Sequence, residues 1–512
     1  MGFLPFFSLE TWTLLITCFC LFVTYGYWSY GVFEKLGIPG PKPVMYWGTF
    51  GRLNKVYYLA DVACAQKYGR VWGLYEFRTP VMAVMDPDML KTILVKECFT
   101  YFTNRRNLPL SGDLSDGVSL AENDQWRRIR NTLSPFFSSG HIKEMFGIMK
   151  HHSKKLTLSL RSKVQDGDTV TMKDFFGPYS VDVMGSCAFS VDMDSINNPT
   201  GPLITHASNL FNISKLLVIA IGCFPFVLPL LDLLGVSIFP KSSTAYFKTL
   251  LEKVKGERND VLNQKLGDFL QHMMNYQSTK MHEPMNEKQR NGLTEHEILS
   301  QATLFVFAGY ETSASALVFL AYNLATNPEV MQRLLREIDS TFPNKAPVQY
   351  EALMKMEYLD SVVKESLRLY PSATRLERTA RETVKINGIT IPKEMMVMIP
   401  VFALHRDPEL WPEPEAFKPD RFSKENKQNI NPYTYLPFGA GPRNCLGMRF
   451  ALVVVKLALV EVLQNFVFSV CEETEIPLQM AATTFISTAR PIKLKLVTRS
   501  NVSENGEKKN EE

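Results

Sequence analysis

Thr294, with Glu297 three positions on, opens a stretch that closes at Asn327-Pro328. A threonine hydroxyl and an acidic side chain at this spacing satisfy two free N–H groups at a helix start, and proline ends the run. The helix expected between them has roughly 30 residues and a length of about 45 Å at 1.5 Å per residue. One element of that length crosses a whole globule, so the domain built on it is mainly helical. In its middle lies Ala308-Gly309-Tyr310-Glu311-Thr312. Gly309 costs about 1 kcal/mol relative to alanine in a helix interior, and Thr312 can bond back to the carbonyl of Ala308. A local rule broken inside a well-capped helix points to a functional site.

The second informative stretch is Pro437 to Ala451, a loop broken by glycine and proline that delivers Cys445 just before the apolar run Phe450–Leu463. Cys445 is thus expected at or near a helix N-terminus. Unpaired N–H groups and the helix dipole favour a thiolate there, suited to metal binding or nucleophilic attack. The plain alternative is a small core residue at a helix start.

The other cysteines, Cys18, Cys20, Cys64, Cys98, Cys187, Cys223 and Cys471, show no Cys-x-x-Cys spacing, so neither a zinc framework nor a disulfide framework follows. They suit a reducing compartment. The 512 residues contain no long linker, and 46% hydrophobic composition supports a large core. A net charge of +4 with scattered basic residues argues against a nucleic-acid partner.

Thr11 to Phe33 carries no charge and has Trp12, Tyr25, Tyr27, Trp28 and Tyr30 near its ends. It reads as one transmembrane anchor within residues 9–33, since about 20 apolar residues span a bilayer. A signal peptide fits less well, for want of a basic n-region and a small-residue cleavage site. Glu10 precedes the run and Lys35, Lys42, Arg52 and Lys55 follow it, which places the bulk of the chain in the cytosol. Residues 36–43 hold three prolines and two glycines, a stiff hinge; 44–499 are expected to form one domain, which the resemblance described below implies is the catalytic one, and 500–512 a disordered tail. Val71–Phe77 and Val81–Met85 suggest a β-hairpin, and Lys280–Asn291 a solvated loop. The uncharged run Leu216–Leu231, broken by Pro225 and Pro229, is short for a second span. Its alternatives are a core helix and an apolar roof over the site.

Phe438, Gly441, Arg443, Cys445 and Gly447 together match Phe-x-x-Gly-x-Arg-x-Cys-x-Gly, and the chain thereby resembles the cytochrome P-450 superfamily. Ala308–Thr312 resembles that family's oxygen-groove motif. Glu365 and Arg368, at a spacing that by itself suggests an exposed ion pair, resemble its buried structural pair, completed by Arg421. Asp420 stands where the family often has glutamate. Phe-Ala-Gly-Tyr-Glu-Thr at 307–312, Arg-Leu-Glu-Arg at 375–378 and the cysteine loop are most similar to the vertebrate microsomal subfamily 3A.

The resemblance implies a single haem domain, mainly α with small β-sheets, tethered by an N-terminal helix. It implies haem b, iron protoporphyrin IX, on the thiolate of Cys445, with Phe438 shielding the sulfur and Gly447 close to the macrocycle. Arg105, Trp126, Arg130, Arg378 and Arg443 would face its propionates. Glu311 and Thr312 would serve proton delivery, and Ser119, Phe307, Ala373 and Phe485 would line a large apolar cavity. The implied reaction inserts one atom of dioxygen into steroids such as testosterone, drugs and other xenobiotics. Differences around Leu210 and at Ala481–Ile486 leave the substrate preference open.

No dinucleotide-binding glycine loop accompanies a strand and helix, so NADPH would act indirectly. The implied electron donor is a membrane-bound NADPH-dependent flavoprotein reductase, with cytochrome b5 as a second. Arg127, Arg128, Lys424 and Lys427 are candidates for the docking face. The resemblance further implies a single-pass protein of the endoplasmic reticulum, with unmodified sequons at Asn212 and Asn501. Two other functions stay open: a haem-thiolate isomerase or dehydratase of oxygenated lipids, and a haem sensor. His405-Arg406-Asp407 lacks the surroundings of a kinase loop.

Overall fold

In a computed structural model of the chain, residues 8–49, 56–165, 169–210, 212–259, 268–277, 292–480 and 490–499 are described. Arg52, Lys55, the 280–291 loop, Thr483, Thr484, Phe485, the Asn501 sequon and the 500–512 tail lie outside them.

The anchor helix α1, Leu9–Tyr27, starts where the Ser8 hydroxyl accepts the N–H of Thr11. Its apolar side chains face outward, with Leu14, Ile16, Phe19 and Leu21 all exposed. The helix stops short of Phe33. Gly31 takes a left-handed φ of 96°, and a short second helix follows, Val32–Leu36. Phe33 is buried there against Gly73, where an added Cβ would lie 2.1 Å from its ring. The two helices together, Leu9–Leu36, are long and apolar enough to cross a membrane and are only 6% buried.

The central helix, Glu295–Thr326, passes the same length and composition test but is 78% buried, so it is the spine of the core. Thr294 and Glu297 close its capping box in both directions. Lys215–Cys223 and Pro225–Leu233 meet at 108°. Leu216, Phe226, Leu230 and Leu233 are exposed along the bend, which excludes a core helix. Tyr25 of the anchor stacks on Phe224 and meets Phe226 edge-on, so the bend abuts the anchor's end.

Strands β1, Val71–Glu76, and β2, Thr79–Val84, form an antiparallel hairpin with Val71 opposite Val84. β3, Leu376–Thr379, pairs antiparallel with β4, Met396–Ile399, and β4 runs parallel to β2. This four-stranded sheet has the order β1-β2-β4-β3, and two smaller sheets lie elsewhere among the described residues. With 57% of residues helical, the fold is mainly α with small sheets.

Further helices frame the site: α2, Asn123–Leu133; α3, Ser139–Gln165; α4, Lys173–Phe189; and, after the central helix α5, α6, Glu357–Leu369. The last, α7, is Met448–Leu463. α5 packs on α4, α6 and α7. Phe305 of α5 meets Phe269 at 4.0 Å and Phe137 at 5.5 Å. Each such large apolar side chain, fully buried, contributes about 1.5–3 kcal/mol. From Ala302 to Ala325 the helix is buried everywhere except at Phe307, Ala308, Gly309 and Thr312. That window opens onto the site.

Candidate functional site

The cysteine loop is fixed by its own backbone. Gly441 sits at a φ of 71°, and an added Cβ would lie 1.9 Å from the carbonyl oxygen of Leu94. Only glycine fits there. The N–H of Cys445 donates to Phe438 O at 2.8 Å and that of Asn444 to Gly441 O at 3.1 Å, closing the loop on itself. Phe438 packs against the main core. α7 begins at Met448 with Gly447 as its cap, so Cys445 lies just ahead of the helix.

Cys445 is exposed. The Gly447 N–H, Arg105 and Arg130 favour a charged sulfur there, and desolvation opposes it. A metal ion coordinated by the sulfur removes the thiol proton outright.

Four arginines surround the loop. Arg130, one turn after Trp126 on α2, donates from Nη1 to Asn444 O at 2.8 Å and from Nη2 to Asn444 Oδ1 at 2.7 Å. Arg105 donates from Nη2 to Arg443 O at 3.0 Å. The guanidinium of Arg443 lies 4.1 Å from the buried Trp126 ring and donates to the carbonyls of Thr103 and Ala121. Burial and the charges of Arg105 and Arg378 push Arg443 down to about 9. Burial and Arg105 likewise push Arg378 down to about 9.

Arg378 carries the clearest sign of a missing partner. It is 1% exposed, Nη1 donates to Glu377 O, and Nε has no hydrogen-bond partner among the described residues. The nearby carboxylates are engaged elsewhere: Glu377 bonds Arg106 at 2.7 and 2.9 Å, while Arg375 takes Asp61 and Glu76. Buried cations without an anion are costly. The donor set therefore suits the two propionates of a haem. At Gly447 an added Cβ would meet nothing closer than the Phe137 ring at 3.8 Å, so the space beside Cys445 is open for a flat group.

Across the site, Thr312 Oγ1 donates to Ala308 O at 2.6 Å. Ser180 Oγ donates to Gly309 O at 2.7 Å, and a Cβ on Gly309 would lie 2.4 Å from Met184 Cγ. Glu311 is buried, accepts from Ser315 Oγ, and pairs with Lys173 Nζ at 2.6 Å. Lys173 is half exposed and opens α4. Nothing in sequence spacing pointed to Lys173, 138 residues from its partner.

The loop bearing Ser119 is pinned to α5, since Val118 donates its N–H to Gln301 Oε1 at 2.7 Å and Gln301 Nε2 donates to Asp116 O. Ser119 and Ala373 are both half-buried. Ser372, the neighbour of Ala373, donates its hydroxyl to Thr312 O at 3.4 Å. Phe307 packs edge-on against Phe239 at 6.3 Å. Ser119, Phe307 and Ala373 are thus gathered near the helix window. A cleft of about 450 Å³ lined by Leu36, Ile38, Pro39, Val71 and Ile389 belongs instead to the hinge.

Glu365 and Arg368 are fully buried and joined by two hydrogen bonds, 2.8 and 2.9 Å, and Arg421 Nε reaches Glu365 at 3.2 Å. Arg368 also caps the carbonyls of His405 and Pro414. His405, dismissed in sequence as a kinase-like tripeptide, is the missed member of this cluster. Among the suggested docking residues, Arg128 is bound to Glu297, Lys424 to Glu357, and Arg127 to Asp124. Lys424 and Lys427 are exposed, whereas Arg127 and Arg128 are half-buried.

The cytochrome P450 family model matches residues 38–496. The chain is 55% identical over 510 residues to cytochrome P450 3A27 of Oncorhynchus mykiss, covering 99% of this chain and 98% of that one. It is 56% identical over 502 residues to cytochrome P450 3A40 of Oryzias latipes, covering 98% and 99%. With cytochrome P450 3A29 of Sus scrofa the identity is 49% over 501 residues, covering 98% and 99%.

Proposed function

The chain belongs to the cytochrome P450 family and is a P450 monooxygenase, and from that premise we propose that it oxidises steroids such as testosterone and bulky apolar xenobiotics at the endoplasmic reticulum, with electrons from NADPH passed on by a flavoprotein reductase. Cytochrome b5 is proposed as a second donor. The anchor helix holds the catalytic domain on the cytosolic side, in keeping with Lys35 and Lys42 just after the span.

The observation that carries this proposal is the accessible window Phe307, Ala308, Gly309 and Thr312 in an otherwise buried helix, together with a cysteine loop held by arginines, one of which, Arg378, keeps Nε without a hydrogen-bond partner among the described residues. Bound haem b with a cysteine thiolate ligand supplies the cleavage of dioxygen. Cys445 Sγ would hold its iron. Arg105, Arg130, Arg378 and Arg443 would bind its propionates, with Trp126 stacked behind Arg443. Phe438 excludes water from the sulfur side.

Thr312 keeps its hydroxyl proton on Ala308 O and can turn it toward the groove. Glu311 pairs with Lys173, whose half-exposed ammonium links the buried acid to solvent. Phe307, Ser119 and Ala373 present apolar and small surfaces to substrate, which is oriented by burial more than by hydrogen bonds.

The test is turnover of testosterone by the full-length haem-loaded chain in phospholipid vesicles. Hydroxylated product and NADPH consumption that both require reductase are expected. Conversion of an oxygenated lipid without NADPH, or no NADPH oxidation with reductase present, would overturn the proposal.

A further inference from the structure

On the side of α4 opposite Gly309, Asp182 and Ser186 turn toward α3. Ser180 and Met184 face the groove, and positions 182 and 186 lie on the other face of the same helix. α4 ends at Ser190, which is left-handed with φ 54°, and the chain folds back through Asp192 and Asp194. That reversal brings His152 of α3, Asp182 of α4 and Asp192 of the following turn together. One ligand atom from each lies within 4.8 Å of the others.

His152 is 1% exposed and Asp182 is fully buried. The ring is oriented: Nε2 lies 2.8 Å from Ser186 Oγ, and that hydroxyl donates to Val191 O at 3.2 Å. With its proton so committed, Ser186 accepts from Nε2–H, which leaves Nδ1 as the unprotonated nitrogen. Nδ1 is buried and has no hydrogen-bond partner among the described residues. An imidazole that gives one N–H to a neighbour and keeps the other lone pair bare is arranged as metal-ligating histidines are. The carboxylate of Asp182 is held by the backbone N–H groups of Ser195 at 2.8 Å and Ile196 at 3.1 Å.

Lys155 is the cation now beside the cluster, at 3.0 Å from Asp192 and 3.2 Å from Asp194. Asp194 can keep the lysine when Asp192 turns inward, and the carboxylates of Asp182, Asp192 and Asp194 outnumber it.

We propose that His152, Asp182 and Asp192 form a binding site for one zinc ion that ties α3 to α4. One imidazole and two carboxylates suit zinc and leave a fourth tetrahedral position for water. Ligand atoms of such a site stand about 3.3 Å apart at bond lengths of about 2.0–2.1 Å. Asp192, with a half-exposed side chain, is the member free to make that closing movement.

The test uses full-length haem-loaded protein stripped with EDTA, titrated with zinc chloride by calorimetry and followed by its thermal midpoint. Wild type is expected to bind about one zinc per chain at this site and to melt higher with it. His152→Leu and Asp192→Asn are each expected to bind that equivalent at least about tenfold more weakly. Asp192 lies at the surface, so its variant decides the matter even if the histidine variant fails to fold. No zinc uptake by wild type, or uptake by Asp192→Asn with wild-type affinity and stoichiometry, would overturn the proposal.

Discussion

Leu436 donates its backbone N–H to Nε2 of His405 at 2.8 Å. On its other side Nδ1 of His405 donates to Arg368 O at 3.1 Å. One buried imidazole therefore ties the loop that ends at Cys445 to the helix of Glu365 and Arg368. The ion pair stabilises that helix end, and the histidine passes its placement to the cysteine loop. Removing Glu365 leaves Arg368 buried without its anion, a loss of several kcal/mol in such settings.

His405 makes the fold acid-sensitive in a defined way. Burial, and then the charge of Arg368, push its pKa down to about 3. The folded chain keeps it neutral to that pH, while the unfolded chain protonates it near 6.5. Its contribution is complete above pH 6.5 and is lost as pH falls toward 3, at about 1.4 kcal/mol per pH unit. Urea midpoints measured from pH 7 to pH 4.5 are expected to fall more steeply for wild type than for His405→Gln. Equal slopes would refute this.

Arg378 is expected to have opposite effects with and without haem. It is a buried cation repelled by Arg105, with Nε unpartnered among the described residues. Arg378→Met is expected to raise the thermal midpoint of haem-depleted protein, by an amount equivalent to about 1 kcal/mol or more. The same change is expected to speed haem transfer to apomyoglobin severalfold. A lower midpoint in the haem-depleted variant would mean that Arg378 is only structural.

Lys173 is expected to matter for turnover and little for substrate binding. It is the cation at 2.6 Å from buried Glu311. Lys173→Met and Thr312→Val are each expected to lower testosterone kcat by about tenfold or more, with KM changed less than threefold. NADPH consumed per product formed is expected to rise in both. Unchanged kcat in the lysine variant would remove it from the proton path.

Sequence carried much of this architecture because its signals were local. The capping box of Thr294 and Glu297, the hairpin around β1 and β2, and the glycine loop before Cys445 each depend on neighbours within a few residues. What stayed hidden depends on distance in the chain. Lys173 meets Glu311 only because α4 packs along α5, and His405 meets Leu436 only once the cysteine loop folds over α6. The break at Gly31 within the apolar N-terminal run likewise depends on packing, since Phe33 is as apolar as a membrane residue but is buried against Gly73.

The most direct test of Cys445 as the haem ligand is the carbon monoxide difference spectrum of dithionite-reduced protein in detergent, wild type beside Cys445→Ala. A strongly red-shifted Soret band in wild type and its absence in the variant are predicted. The same red-shifted band in both proteins, or a wild type that takes up no haem, would contradict the assignment.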